Sequence, residues 1–507
     1  MPVSAIMSLR TKLPTFLALL PLACGDPTGE EVDSSGAPLD SLGPAATDDQ
    51  GAESSASMGG GETNGGNNGT SMTMTSGATD QEDETNGGDG PIFDVGSVND
   101  VGDNNGCGTQ PPTNSTLSGR VWAPNGEIPI SNALVYTTTT EPAGIPQGVY
   151  CDECQQIDCD NFFTFTDVDG TFELDTQSGN ARYLVVQKGQ FMRVTQIDIA
   201  EGSSMLPVAQ TTLPGENNPA QGEYIPLIAV GYGSYDRIED ALGKFGVGQT
   251  SITGFEENLV PGTEPFDIWD NGGGPAFDGF TSQGTLAQLV ADPARLDDYH
   301  IIFVPCSTDD FVNSLTPANI ANIQNWVAAG GRWYVADWAN EWMEHVFPDY
   351  QTLDGEPNAA DGSAYDSDAT VLDMDLLDWL MALPADLKDI NPLNDESHPT
   401  LNDLPAYVTT VDNWSVIEQV NPVLVDDGMG GMEDVGHKVW LEGPGSGFPV
   451  HPLTVSGVYG CGRIQFTSYH AAEFFDYVGL SPQELVLLYT ILEIGVCQEN
   501  PLPPPQG

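Results

Sequence analysis

The chain has 507 residues but only 13 lysines and arginines, against 74 aspartates and glutamates, for a formal charge of −61. Cationic side chains are what neutralise phosphates, so this scarcity excludes a nucleic-acid binder. It also leaves no polybasic patch to hold an anionic membrane. Long hydrophobic runs are missing too. The apolar run at residues 13–23, LPTFLALLPLA, is about half of the roughly twenty residues a spanning helix needs. H-E-x-x-H, the P-loop and G-x-S-x-G are absent, which removes the commonest zinc-protease, nucleotide and serine-hydrolase signatures. The spaced acids and glycines of residues 93–103 miss the EF-hand pattern, which needs D-x-[DN]-x-[DN]-G and a later Glu. What remains is 39% hydrophobic, enough for folded cores if part of the chain stays unfolded. By length, two to three domains are expected.

Arg10 and Lys12 are the only basic residues before Arg120, and they precede the apolar run. A basic start, an apolar stretch of this length and a small residue before the break make an export signal. The stretch ends in Pro21-Leu22-Ala23-Cys24-Gly25. It resembles a bacterial lipoprotein signal, with Pro21 standing where such signals usually carry leucine. The resemblance implies a signal over residues 1–24 and lipidation of Cys24, which would anchor the exported chain to the cell envelope or surface. Residues 25–112 then read as a linker. Gly25 to Gly106 holds 17 acids and no Lys or Arg among Gly, Ser, Thr and Asn. Such a segment cannot bury enough surface to offset the entropy of ordering, so a disordered, self-repelling tether is expected.

Besides Cys24 there are seven cysteines: Cys107, Cys151, Cys154, Cys159, Cys306, Cys461 and Cys497. In an exported protein they read as disulfides. Cys107, Cys151, Cys154 and Cys159 can make two bonds among themselves, while Cys461 with Cys497 is the preferred third, leaving Cys306 as the odd thiol. Spacing alone does not fix the connectivity. The CDECQQIDC triplet with a fourth ligand is the zinc alternative.

Residues 113–206 read as a β-sandwich. Alternating apolar and polar residues flank the turns Asn125-Gly126, Asp167-Val168-Asp169-Gly170 and Lys188-Gly189. Gly119-x-Val121, Ala133-x-Val135 and Thr166-Asp167-x-Asp169-Gly170-x-Phe172 resemble the carboxypeptidase regulatory-like domain, which implies a structural or binding module without catalytic residues. Asp167 and Asp169 are candidate calcium ligands, weighed against an Asx-type turn between strands.

Residues 222–500 read as a three-layer, flavodoxin-like α/β domain. The continuous apolar runs 225–233 and 299–305, and the run 332–337, suit buried parallel strands. Helical patterns lie at 236–245, 285–292, 316–329 and 481–497. Alternation of this kind predicts a mainly parallel sheet with helices on both faces. The pieces DYHIIFVPCS, NWVAAGGRWYVADW, Gly460-Cys461-Gly462-Arg463 and Thr467-Ser468-Tyr469-His470 resemble the glutamine-amidotransferase-like superfamily, particularly its trehalose-utilization-type branch. Residues 345–435 have no counterpart in that likeness.

Ligands of open α/β sheets bind at the carboxyl ends of strands, where Cys306, Asp337 and His470 are expected. A nucleophilic Cys306 with His470 as base, oriented by Asp337 or Glu473, is the chemistry the resemblance implies. It would need sulfur and ring nitrogen within about 4 Å at an open cleft. Against it, Val304-Pro305-Cys306-Ser307-Thr308 lacks the glycines of a strained nucleophile turn, and Glu473 stands three residues after His470 where family enzymes place an acid two after. Asp267, Asp270, Asp309, Asp310 and Asp337 offer hard carboxylates to calcium or magnesium. Trp269, Trp333, Trp338 and Trp342 offer rings to a sugar, although core packing is the commoner use. His398, His437 and His451 read as isolated surface residues. The leading expectation is a surface-anchored, non-catalytic binding or envelope module for a carbohydrate or partner protein. The alternative is an exported Cys-dependent hydrolase or amidotransferase-like enzyme using Cys306 and His470.

Overall fold

The computed structural model describes residues 112–154, 161–254, 256–307, 315–353, 360–389, 399–445, 447–472, 477–498 and 501–505. Cys24, the acidic linker, Cys107, Cys159, Asp309, Asp310, His398 and Glu473 lie outside them.

The first segment builds two facing sheets from alternating sequence. β1 (Ser115–Arg120), β4 (Thr171–Thr176) and β7 (Gly202–Met205) form one, in the order β4-β1-β7. β2 (Leu134–Thr138), β3 (Phe162–Phe165), β5 (Gly179–Lys188), β6 (Phe191–Ile199) and β8 (Glu223–Tyr224) form the other, in the order β3-β2-β5-β6-β8. In β4 the period of two sends Phe172, Leu174 and Thr176 inward and leaves Glu173 and Asp175 in water. The 167–170 turn closes as an Asx turn. The Asp169 carboxylate accepts from the Thr171 amide at 3.0 Å and hydroxyl at 2.6 Å, and Arg120 contacts it at 3.0 Å.

A ten-stranded sheet dominates the rest. Its strands are β9 (Ile228–Tyr232), β10 (Asp267–Asp270), β11 (Ser282–Thr285), β12 (Ile301–Val304), β13 (Arg332–Ala336), β14 (Ala360–Val371), β15 (Val408–Ser415), β16 (Lys438–Gly445), β17 (Phe448–Tyr459) and β18 (Gly462–Thr467). The order is β11-β10-β9-β12-β13-β18-β17-β16-β14-β15. From β11 to β18 all neighbours are parallel, and from β18 through β17, β16 and β14 to β15 they are antiparallel. The sheet is therefore mixed, not mainly parallel. The segment without a counterpart supplies β14 and β15.

The continuous apolar runs are strands buried on both faces, and alternate residues enter different cores. Ile302, Val304, Trp333 and Val335 pack with α2 (Leu286–Ala291) and α3 (Pro317–Ala328). Ile301, Phe303, Tyr334 and Ala336 pack with α1 (Ile238–Phe245), α4 (Met374–Ala382) and α5 (Pro482–Ile494). Helices thus cover both faces. The second core is continuous with Leu117, Phe172 and Leu184 of the first segment, so the two segments share apolar interior and cluster as one unit.

Covalent bonds reinforce that join. Cys151 pairs with Cys461 (S–S 2.05 Å) and Cys154 with Cys497 (S–S 1.99 Å). This replaces the expected Cys461–Cys497 bond and the expected pairing of Cys151 and Cys154 within their own cluster. The reason is geometric: the Cys151 loop lies across the turn before β18 and the chain after α5, where partner Cα atoms come within 5.1 and 4.9 Å. A buried Lys188–Glu493 ion pair also links the β5–β6 hairpin to α5.

His437 and His451 are buried, not at the surface. Both sit on or beside β16 and β17, which run through the sheet interior. His437 Nε2 lies 2.8 Å from Gln351 Oε1, and burial holds its pKa down at about 3.

Candidate functional site

The chain runs from β9 to β10 and β11 on one side, then returns through α2 to β12 on the other. The carboxyl ends of β9 and β12 therefore flank a topological switch, where open α/β sheets bind ligands. The two ends are stitched together. The Tyr235 amide donates to the Cys306 carbonyl at 3.4 Å, and the Ser234 amide to Ser307 Oγ at 3.1 Å. Gly233 permits this approach, since a Cβ there would stand 2.5 Å from the Cys306 carbonyl oxygen.

Four chemistry-bearing side chains collect at the ends of adjacent parallel strands. Cys306 follows β12, Asp337 follows β13, His470 follows β18 and Asp236 follows β9. Cys306, Asp337 and Asp236 have no exposed surface, and His470 is 6% exposed. His470 Nε2 lies 3.1 Å from Asp337 Oδ2. One donor atom from each of Cys306, Asp337 and His470 falls within 4.8 Å of both others. The neighbouring segments 308–314 and 473–476 lie outside the described residues.

Each carboxylate is held by backbone donors. Asp236 accepts from the Ala472 amide at 2.8 Å and the Ala471 amide at 3.2 Å. Asp337 Oδ1 accepts from the Trp414 amide at 3.0 Å. Burial pushes the Asp236 carboxyl up to about 6, opposed by the His470 ring and the two amides. Burial likewise raises Asp337, opposed first by its contact with His470. Asp337 also sits at φ +50, in the left-handed region that residues with a Cβ avoid. The His470 carbonyl accepts from Gln483 Nε2 at 2.7 Å, which fixes the backbone that carries the ring.

The arrangement converges and does not form a relay. In an acid–imidazole–thiol relay the acid and sulfur sit on opposite ring nitrogens, roughly 7 Å apart, two hydrogen-bond lengths plus the width of the ring. Here Asp337 meets Nε2, and its carboxylate approaches the sulfur within 4.8 Å. A carboxylate oxygen of Asp337 is thus closer to the sulfur than the span of such a relay.

Trp338 and Trp414 adjoin this cluster. Their ring centroids are 5.6 Å apart, and Trp338 Nε1 donates to the Trp414 carbonyl at 3.1 Å. Both are half-buried, whereas Trp269, Trp333 and Trp342 belong to the core. Sequence reasoning brought Cys306, Asp337 and His470 to one end of the sheet but missed Asp236 and Trp414. A carboxylate just past the apolar run 225–233 was the available sign of Asp236. Trp414 lies in the segment without a counterpart and gave none.

The remaining acids are dispersed. Asp267 takes the Tyr299 hydroxyl at 2.5 Å and Arg295 at 3.1 Å. It lines a cleft of about 580 Å³ at the amino ends of β9 and β12, the opposite end of the sheet from the cluster. Asp270 caps its own loop through the amides of Gly272 and Gly274, each at 3.0 Å. The Asp169 carboxylate is engaged by Thr171 and Arg120 as described.

Fold and site together define an α/β unit built on a mixed sheet, with a buried Asp–His–Cys cluster at the carboxyl ends of adjacent strands, disulfide-bonded to a segment of two smaller sheets. No family model matches the chain, and no curated protein matches it. Two cytoplasmic proteins of Salmonella typhimurium, each 12% identical, are similar over 53% of this chain and 99% and 98% of their own, both with a TM-score of 0.25. A thua-like protein from Bacteroides uniformis, also 12% identical, covers 44% of this chain and 81% of its own, with a TM-score of 0.26. These likenesses are weak and span about half of the chain. The disulfides belong to the chemistry of an oxidising compartment. Among the described residues no helix is long and apolar enough to cross a membrane.

Proposed function

We propose that the protein is exported, held to the envelope through a lipidated Cys24, and binds a carbohydrate without catalysis at the carboxyl ends of β9, β12, β13 and β18. The observation that carries this reading is the half-buried Trp338–Trp414 pair set against the Asp337 carboxylate. Two half-buried aromatic rings side by side offer a sugar an apolar surface to stack on. The competing reading, a hydrolase using Cys306 and His470, draws on the 3.1 Å contact between His470 and Asp337. It is disfavoured because Cys306 is fully buried and because an Asp337 oxygen lies within 4.8 Å of the sulfur, closer than a relay through the ring would hold it.

The test is glycan-array binding by the intact chain, with native alkylation run in parallel. Binding that falls roughly tenfold or more in Trp338→Ala and in Trp414→Ala, with no alkylation of Cys306, is expected. Absence of any glycan ligand, or binding untouched by both substitutions, overturns the carbohydrate reading. Rapid, selective alkylation of Cys306 in the unreduced protein would favour the hydrolase.

A further inference from the structure

We infer that Cys306, Asp337 and His470 form a mononuclear site for a borderline-soft divalent cation of the zinc class. The inference rests on placing the ligand at this corner of the sheet, but not on that ligand being a sugar.

The donor geometry is the first reason. Four-coordinate zinc binds sulfur at about 2.3 Å and nitrogen or oxygen at about 2.0 to 2.2 Å, so its donor atoms stand roughly 3.2 to 3.8 Å apart. His470 Nε2 and Asp337 Oδ2 are 3.1 Å apart, and the three donors lie within 4.8 Å of one another. Small rotations of the side chains would close such a set on one ion. The same convergence argues against the relay that a cysteine nucleophile would use.

Burial is the second reason. Cys306 and Asp337 are fully buried, and Asp337 Oδ2 lies 3.1 Å from His470 Nε2. Polar groups are costly to place in an apolar interior, and one shared cation would engage all three. The donor set also selects the ion. Calcium takes six to eight oxygens, whereas thiolate, imidazole and one carboxylate suit zinc and its neighbours.

The setting is the third. The ligands come from the ends of three adjacent strands, β12, β13 and β18, which is a rigid scaffold. The Trp414 amide on Oδ1 orients the Asp337 carboxylate so that Oδ2 faces His470, as outer partners of metal ligands do. The φ of +50 at Asp337 is a strained backbone retained at the point where the donors converge. Three protein donors leave a fourth position open for water or a ligand group, as in zinc sites that contact substrate.

The test uses the intact, exported chain, stripped with a chelator and titrated with cobalt(II) as a spectroscopic stand-in for zinc. Excess calcium occupies the many surface carboxylates. One cobalt per chain is expected, with a thiolate-to-cobalt charge-transfer band, strong visible bands of a four-coordinate ion, and displacement by zinc. Cys306→Ser should abolish the charge-transfer band, and His470→Ala should weaken cobalt binding roughly a hundredfold or more. Near-ultraviolet circular dichroism checks that the variants fold, and if they do not, the wild-type spectrum decides alone. A wild-type protein with no thiolate band, or a folded Cys306→Ser with an unchanged spectrum, overturns the site. Glycan binding is measured on stripped and zinc-loaded protein alike. Zinc without glycan sinks the carbohydrate reading only, and glycan without zinc sinks this site only.

Discussion

Asp337 and His300 show how single residues are constrained by burial. Aspartate tolerates a left-handed backbone better than most residues with a Cβ, because its short polar side chain can bond locally. Asp337 does so while Oδ1 accepts from the Trp414 amide and Oδ2 lies 3.1 Å from His470 Nε2. His300 is buried at the amino end of β12, and its Nδ1 accepts from the Leu227 amide at 2.8 Å. Burial, with help from Arg332, lowers its pKa to about 4. A depressed folded-state pKa contributes stability that is present above the unfolded value near 6.5 and is lost as pH falls toward the folded value. Between pH 7 and 5 the loss should be about 2 kcal/mol. Asparagine can offer an acceptor in the place of Nδ1 but does not titrate. Urea denaturation of wild type and His300→Asn at both pH values should therefore show wild type losing about 2 kcal/mol relative to the variant on acidification. Parallel pH profiles would refute the assignment.

At the scale of elements, local sequence signals located helices well and sheet order poorly. Thr316 and Asn319 cap α3 reciprocally, with the Thr316 amide donating to Asn319 Oδ1 at 2.9 Å and the Asn319 amide to Thr316 Oγ1 at 3.3 Å. The paired glycines at 330–331 end that helix as their spacing predicts. Gly330 has a second use that no local pattern shows. At φ +122 it lies against the Tyr150 carbonyl, and a Cβ would overlap that oxygen, next to the Cys151–Cys461 bond. Gly330→Ala should lower the melting temperature by several degrees and raise the fraction of chains with free thiols at Cys151 and Cys461, read by mass spectrometry after alkylation. Unchanged disulfide content and melting would show that the loop docks elsewhere. The sheet position of the β16–β17 hairpin lay outside those signals. Antiparallel pairing with β14 and β18 is a long-range choice that a Gly- and Pro-rich run does not announce.

Across the whole molecule, several of the few cations join distant segments. Lys188 meets Glu493, Lys244 meets Glu484 at 2.9 Å and Arg332 meets Asp152 at 3.7 Å, each linking segments far apart in sequence. The two disulfides span 310 and 343 residues; in the chain-entropy model the first loop closed stabilises by about 6 kcal/mol, and the second, closing a much shorter loop once the first is made, by less. Such ties offset a repulsion that the tether does not explain. Only 17 of the 74 acids fall between Gly25 and Gly106, so 57 remain against 11 lysines and arginines after the signal. Screening shortens the reach of that repulsion from roughly 30 Å at 0.01 M salt to about 3 Å at 1 M. Melting temperature should therefore rise as NaCl increases over this range, and a curve indifferent to salt would show the surface charge to be otherwise balanced.

The sequence by itself determined the acidity, the alternating strands of the sandwich, the buried apolar strands of the α/β unit and their cappable helices. Each of these follows from periodicity or composition within a short window. It also placed Cys306, Asp337 and His470 after strands, because open sheets put chemistry at strand ends. Only the tertiary structure decided which strands are neighbours, and hence that these three donors converge on one point beside Asp236 and the Trp338–Trp414 pair. It likewise decided that Cys151 and Cys154 cross to Cys461 and Cys497. Strand order and disulfide pairing depend on contacts between residues hundreds of positions apart, and no local pattern encodes those distances.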